Sequence, residues 1–216
     1  MNGVIKKKIA GCSKEMSDTL FDFMNTGCSK QADFQKMVAA HMNKFGYDDV
    51  SCDGAGNVTG VISGYGSGPA MGLFAQYDVS SSGDGNGGAN YLEGFVSALY
   101  TGAAIKRALV PLRGDLVVGI AAGSRYNAFG TEYLFKHALK KYSDKFEGVV
   151  LCEPTNEKVY LGHKGGMEYQ ITVTGRMESS FLNNKGVNML GTMFPLIHEL
   201  EALSRTLPRD SLLGNA

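Results

Sequence analysis

The strongest evidence for the fold is the segment at residues 70–106, which reads AMGLFAQYDVSSSGDGNGGANYLEGFVSALYTGAAIK. Its first six residues form a short apolar run, which is typical of a strand buried on both faces of a parallel sheet. A glycine-rich stretch follows. Asn90, with Glu93 three residues later, resembles a capping box, and apolar residues then recur at helical spacing. The segment therefore predicts a strand, a loop and a helix in succession.

Further strands and helices extend this pattern in both directions. Asp115–Ala122 and Gly148–Cys152 are two more buried-strand patterns, with a predicted helix over Thr131–Lys141 between them. Upstream, Asp53–Asn57 predicts a turn between two short strands. Alternating strands and helices favour right-handed crossovers. We predict an α/β fold with a mostly parallel sheet flanked by helices.

The residue pattern changes from Met167 onward. Apolar and polar residues alternate over Met167–Thr174, which is typical of a half-exposed antiparallel strand, and Val187–Leu203 has helical spacing. We therefore predict an α/β domain over residues 1–166 and a partial α+β segment over residues 167–216.

Composition excludes few classes of protein but supports a soluble one. Of 216 residues, 44% are hydrophobic, and 21 Lys plus Arg balance 21 Asp plus Glu, so no net charge favours nucleic acid or an acidic membrane. The four cysteines are widely spaced and form no C-x-x-C pair, which favours reduced thiols and a cytoplasmic location. No span approaches the roughly 20 apolar residues of a membrane helix.

Several motifs resemble the zinc-dependent family of aminoacylases, acetylornithine deacetylases, succinyl-diaminopimelate desuccinylases and related dipeptidases. Gln76-Tyr77-Asp78 corresponds to a His-x-Asp at the end of a strand, and residues 88–94 correspond to Gly-Ala-x-Asp-x-x-Gly. Glu153-Pro154-Thr155 matches the next metal-ligand motif. The resemblance implies a catalytic-type α/β domain without its C-terminal return, followed by a partial lid or dimerisation segment.

The resemblance also implies a site for two zinc ions whose ligands are largely replaced. The replaced positions are Gln76, Tyr91, Gly123, Ser124 and Ser179. A dinuclear site needs a bridging carboxylate and a base, and a phenol with a pKa of about 10 is a poor bridge. Glu153 remains as a vestigial ligand, and Asp78 remains from the surrounding shell. We therefore expect no zinc, no catalytic residues and an inactive relative of the family.

The expected unpaired strand and helix of such an inactive relative indicate a role in protein–protein interaction. A lone strand and helix cannot bury both of their faces, and an open edge favours pairing with another chain. We expect a homo-oligomer or a larger hetero-assembly, with no nucleic acid and no membrane. The predicted interface residues are Tyr169, Ile171, Val173, Leu190, Phe194 and Ile197.

Two other functions stay open from the sequence. One is a zinc-dependent hydrolase of N-acyl amino acids or dipeptides whose site another chain completes. The other is phosphate or nucleotide binding at Gly83–Gly88, which matches G-x-G-x-x-G but begins several residues after the strand. Individual residues also have structural interpretations: Glu153 and Asp78 as caps of backbone amides, and His41 as a packed core residue.

Overall fold

The computed structural model describes most of the chain, namely residues 2–25, 31–77, 89–123, 128–156, 158–160, 162, 170–175 and 189–207. It divides into two units, Met1–Asn156 and Glu157–Ala216. The predicted domain boundary at 166/167 lies outside the described residues, so the proposed division of roles stays a prediction. No helix among the described residues is long and apolar enough to cross a membrane.

The first unit contains a five-stranded sheet and five α-helices among its described residues. The helices are α1 Asn2–Gly11, α2 Ser13–Asn25, α3 Gln31–Lys44, α4 Ala89–Arg107 and α5 Phe129–Tyr133. The strands are β1 Asp49–Cys52, β2 Val58–Ile62, β3 Ala70–Tyr77, β4 Leu116–Ala122 and β5 Phe146–Leu151.

The sheet has the order β1-β2-β4-β3-β5. β3 is parallel to both β4 and β5, whereas β1–β2 and β2–β4 are antiparallel. The predicted α/β class is confirmed. The sheet is mixed because the β1–β2 hairpin adds its second strand directly to β4, in the opposite direction.

The larger core lies between the sheet and α2, α3 and α4. Phe23, Phe34 and Phe95 are almost fully buried and form a three-ring cluster. His41 is half-buried, with its ring centre 5.4 Å from that of Phe23, so its predicted packing role is confirmed. Gly46, at φ +79°, follows the end of α3 in the conformation that glycine adopts most readily.

The opposite face of the sheet carries a smaller core around Phe74 and Val117. The predicted continuous helix Thr131–Lys141 is wrong: α5 is followed by a π turn over Leu134–Ala138 and a 3₁₀ turn over Lys140–Tyr142. The Leu139 amide donates to the Leu134 carbonyl at 2.9 Å. This five-residue spacing buries both leucines against the sheet, which regular helical spacing would not align as well.

The second unit contains α6, Met189–Thr206, which confirms the predicted helix. The predicted strand Met167–Thr174 is not formed in its described part, because residues 170–175 have no strand structure. Alternating side chains alone do not make a strand, since a strand also needs a partner for its backbone hydrogen bonds. Tyr169 lies outside the described residues, whereas Ile171 is exposed and Val173 half-buried.

Candidate functional site

The candidate site lies at the carboxyl ends of the three parallel strands β3, β4 and β5. Gln76 in β3 is in register with Ala121 of β4. The Gly123 amide donates to the Tyr77 carbonyl at 3.2 Å, and the Cys152 amide donates to the Phe74 carbonyl at 2.7 Å. Adjacent strands lie about 4.8 Å apart. Gln76 therefore lies beside Ala121 on one side, with Gly123 two residues further along the chain, and near the Cys152–Glu153 segment on the other.

A buried asparagine holds the end of β4. The Asn57 side-chain oxygen accepts from the Ala122 amide at 2.9 Å. Its amide nitrogen donates to an Asp53 carboxylate oxygen at 2.7 Å and to the Gly130 carbonyl at 2.9 Å. Asp53 also accepts from the amides of Ala55 and Asn57, which makes the predicted turn between the two strands. Asn57 thus joins this turn to both the strand end and the start of α5.

Tyr77 is a structural residue rather than a ligand. Its ring is buried and stacks on Phe34, with ring centres 4.0 Å apart. Its hydroxyl donates to the Gly56 carbonyl at 2.7 Å. Because side chains alternate along a strand, Gln76 belongs to the opposite face of the sheet, where it is half-buried.

Gly123 has a backbone conformation that favours glycine. Its φ is +62°, in the left-handed region. A methyl group there would meet no atom within 4 Å, so the space would admit a side chain while the backbone would resist one. Another residue in this conformation costs about 1–2 kcal/mol.

Glu153 follows β5 and is half-buried. Burial, and then the charge of Glu153, raises the pKa of the neighbouring Cys152 thiol. A raised pKa keeps the thiol protonated at neutral pH, and a protonated thiol is a poor nucleophile and a poor metal ligand. A methyl group on Gly94 would lie 1.9 Å from the Cys152 carbonyl oxygen, so α4 packs directly against this segment.

Several predicted site residues cannot be placed. Asp78, Ser124 and Ser179 lie outside the described residues, as does the Gly83–Gly88 loop of the nucleotide-binding alternative. Tyr91 lies in the first turn of α4, and its side chain is likewise outside the description. The helix start predicted near Asn90 is confirmed, since α4 begins at Ala89.

The described donors do not fit a pair of zinc ions. Gln76 offers a neutral amide, Gly123 offers no side chain, and Glu153 is one carboxylate. Zinc in proteins is held by imidazole, thiolate and carboxylate groups, usually three or four converging on each ion. Within the described part of the chain, no three His, Cys, Asp or Glu residues are grouped to hold a metal.

Sequence reasoning missed the importance of Asn57. The position of Asn57 at the end of a predicted turn gave no sign of its contacts, because its partners lie up to 73 residues away.

Known proteins resemble this chain in sequence and in fold. It is 29% identical over 200 residues to the uncharacterized protein YgeY of Escherichia coli K12. The aligned region covers 82% of this chain and 47% of YgeY. The chain is 28% identical over 89 residues to a probable succinyl-diaminopimelate desuccinylase of Staphylococcus aureus strain Mu50, covering 41% of this chain and 22% of that protein. No family model matches.

Human carnosine dipeptidase 1 has the same fold, with a TM-score of 0.54 and 11% identity over 69% of this chain and 40% of that structure. The chain thus resembles a probable desuccinylase in sequence and a dipeptidase in fold. The resemblance predicted from the sequence motifs is confirmed at this level. The aligned region spans less than half of YgeY, so the activities of whole relatives bear on this chain only as proposals.

Proposed function

We propose that this chain is a catalytically inactive relative of the zinc-dependent amidohydrolases and peptidases, and that it acts as a structural or regulatory interaction subunit. The observation that carries the proposal is the chemistry of the strand ends. Gln76 is in register with Ala121, and Gly123 follows two residues later, so both lie at the ends of neighbouring strands where the motif resemblance implies an imidazole and a carboxylate.

Hydrolysis at a dinuclear centre requires ligands and a general base. Metal-bound water must be deprotonated by a nearby base, and the resemblance implies that this base lies at the end of β4. Gly123 has no titratable group, and its positive φ suits glycine better than glutamate. The glycine at this position therefore suits the local backbone conformation as well as removing the base.

An edge strand supports the interaction role. Among the residues that the structure describes, β5 pairs with β3 on one side only, and Val149, Val150 and Leu151 expose 45–61% of their surfaces. Val150 is in register with Leu73 of the larger core, and Leu151 with Phe74 of the smaller core. Apolar residues on both faces are typical of an interior strand, and an open apolar edge favours pairing with another polypeptide.

The same edge favours a second candidate function. Glu153 lies two residues after the end of β5, so a polypeptide that extends the sheet there would add its side chains near this remaining carboxylate. The chain would then be one part of a zinc-dependent hydrolase of N-acyl amino acids or dipeptides, completed by another chain.

Metal content and hydrolysis separate these two functions. The purified chain would be equilibrated with zinc, desalted and analysed for metal, and then assayed on N-acetylated amino acids and dipeptides with and without chelator. We expect less than stoichiometric zinc and no chelator-sensitive turnover. About two zinc ions per chain, with hydrolysis that a chelator abolishes, would show that the proposal is wrong.

The assay should be repeated with the assembly isolated from native cells. Chelator-sensitive hydrolysis that appears only in the assembly, and that is lost on Glu153→Gln, would support the completed-site alternative. Inactivity of both forms supports the interaction subunit.

A further inference from the structure

A pocket of about 710 Å³ lies where the three parallel strands of the first unit begin. It is lined by Ala70, the first residue of β3, by Asp115, which precedes β4, and by Lys145, which precedes β5. We propose that this pocket binds a phosphate group. It lies at the end of the sheet opposite to Gln76 and Gly123, so the site is independent of the metal-ligand positions described above.

The β2–β3 loop forms one wall of the pocket and supplies two backbone amides. The amides of Tyr65 and Gly68 donate to carbonyls of the loop that precedes β4, at 2.9 and 3.1 Å. Between them, the amides of Gly66 and Ser67 have no acceptor among the described residues, and both residues line the pocket. Successive amides of this kind in a concave surface bind anions. The loop therefore offers two donors to one negatively charged group.

Close packing against the loop before β4 holds these two amides in place. A methyl group on Gly68 would lie 2.9 Å from the Arg113 carbonyl carbon, and one on Gly114 would lie 2.0 Å from the Pro69 carbonyl oxygen. The two backbone segments therefore lie directly against each other. A site that is already rigid loses little conformational entropy when a ligand binds.

Asp115 joins the two walls of the pocket. One of its carboxylate oxygens accepts from the Gly64 amide at 3.0 Å, in the β2–β3 loop. The other accepts from the Tyr142 hydroxyl at 2.7 Å, in the turn that precedes β5. Both oxygens of Asp115 are engaged with protein groups, so this carboxylate holds the loop against the turn.

Two lysines on the second wall supply positive charge. The Nζ atoms of Lys141 and Lys145 lie 5.2 and 6.0 Å from the centre of the Tyr142 ring. Among the described residues, Lys145 has no carboxylate within ion-pair distance, and Lys141 has only Asp49, at 3.6 Å. That pair is exposed on both sides and contributes little. Both ammonium groups are therefore available to an anion.

These donors suit phosphate because its several oxygens can accept from different directions at once. Lysine binds phosphate as a point charge, and backbone amides and the Ser67 hydroxyl add hydrogen bonds. Small-molecule pockets usually measure about 300–1,000 Å³, so this pocket also has room for the rest of a phosphorylated ligand. Asp144, which lines the pocket without an ion pair among the described residues, should oppose the anion.

Amide NMR on the full chain, at constant ionic strength, tests the site. Inorganic phosphate and glycerol 3-phosphate are titrated separately, and the resonances of Gly66 and Ser67 are followed. We expect saturable shifts of both amides with at least one of the two probes. Tighter binding of glycerol 3-phosphate would identify a phosphate monoester as the ligand class, whereas equal or tighter binding of inorganic phosphate would identify the free ion.

Three exposed residues of the same turn supply the variants. Lys145→Gln should weaken binding about fivefold or more, since it removes a charged donor. Asp144→Asn should strengthen binding by roughly twofold, since it removes a like charge. Lys140→Gln is the matched control, because it removes the same charge from a residue that does not line the pocket, and it should change binding by less than about twofold.

Three results would overturn the site. The first is the absence of saturable shifts at Gly66 and Ser67 with both probes. The second is an equal loss of affinity in Lys140→Gln and Lys145→Gln, which would indicate attraction to the general surface charge. The third is weaker binding in Asp144→Asn. Zinc content and hydrolysis are measured separately, so the proposed function can fail without affecting this outcome.

Discussion

The side-chain oxygen of Asn57 accepts a hydrogen bond from the backbone amide of Ala122 at 2.9 Å, across 65 residues of sequence. Asn57 is 1% exposed and also donates to Asp53 and Gly130. One side chain therefore fixes the β4 end, the preceding turn and the start of α5, and with them the backbone that leads into Gly123.

Replacing Asn57 should destabilise the first unit strongly. Asn57→Ala leaves the Ala122 amide and the Gly130 carbonyl without this partner, and each buried unsatisfied group costs about 1–3 kcal/mol. We expect a loss of roughly 2–4 kcal/mol in the free energy of unfolding, measured in urea. Asn43→Ala, on the exposed side of α3, is the control and should change it by less than about 0.5 kcal/mol. Equal effects of the two substitutions would contradict the anchoring role of Asn57.

Helix α4 packs so closely on the end of β5 that a side chain at Gly94 should not be tolerated. A methyl group there would lie 1.9 Å from the Cys152 carbonyl oxygen, and backbone cannot move aside as a flexible side chain can. Gly94→Ala should cost about 1–3 kcal/mol of stability. Gly3→Ala in α1 meets no atom within 4 Å and should instead stabilise by about 0.5–1 kcal/mol. Chemical unfolding of both variants checks this, and a neutral Gly94→Ala would mean that α4 packs less closely.

Restoring the family ligands should not restore an enzyme. The variant carrying Gln76→His, Tyr91→Asp, Gly123→Glu and Ser124→Glu should bind some zinc and show no turnover, because Ser179 still stands where the resemblance implies a histidine. It should also be less stable than the triple variant that keeps Gly123, by about 1–2 kcal/mol, because of the positive φ. Metal analysis, hydrolysis assays and urea unfolding measure these effects. Robust hydrolysis by the fourfold variant would show that only these ligands were missing.

His41 should make the stability of the chain fall in mild acid. Burial, and then the charge of Lys44, lowers the pKa of His41 below its usual value of 6.5. Below that pH the unfolded chain binds the proton more readily than the folded one, so the free energy of unfolding decreases as pH falls through 6.5 toward the folded-state pKa. The contribution is fully present above 6.5. His41→Gln should flatten the dependence, measured by urea unfolding between neutral and mildly acidic pH.

His198, exposed on α6, supplies the control for this experiment. His198→Gln makes the same substitution on the other unit, and the change in slope caused by His41→Gln is measured against it. An unchanged slope in the His41 variant would mean that another group dominates the acid response.

Local sequence patterns are enough to predict the succession of strands and helices that places the candidate site. Apolar spacing and local capping depend on neighbours within a few residues, so β3, α4, β4 and β5 could be predicted close to their observed bounds. The identity of the replaced residues, such as Gln76 and Gly123, was also available from the motifs alone. Both kinds of information are local.

Tertiary structure decided the contacts that join distant segments. Asn57 makes its hydrogen bonds to β4 and α5 only in the folded chain, where these elements lie beside it. The helix predicted after Thr131 forms a π turn because Leu134 and Leu139 both pack on the sheet. Residues 170–175 kept an alternating pattern but formed no strand, since pairing requires a second backbone. Gly123 likewise acquired its positive φ where β4 leaves the sheet, and this conformation, set by the fold, is what disfavours the carboxylate that the motif implies.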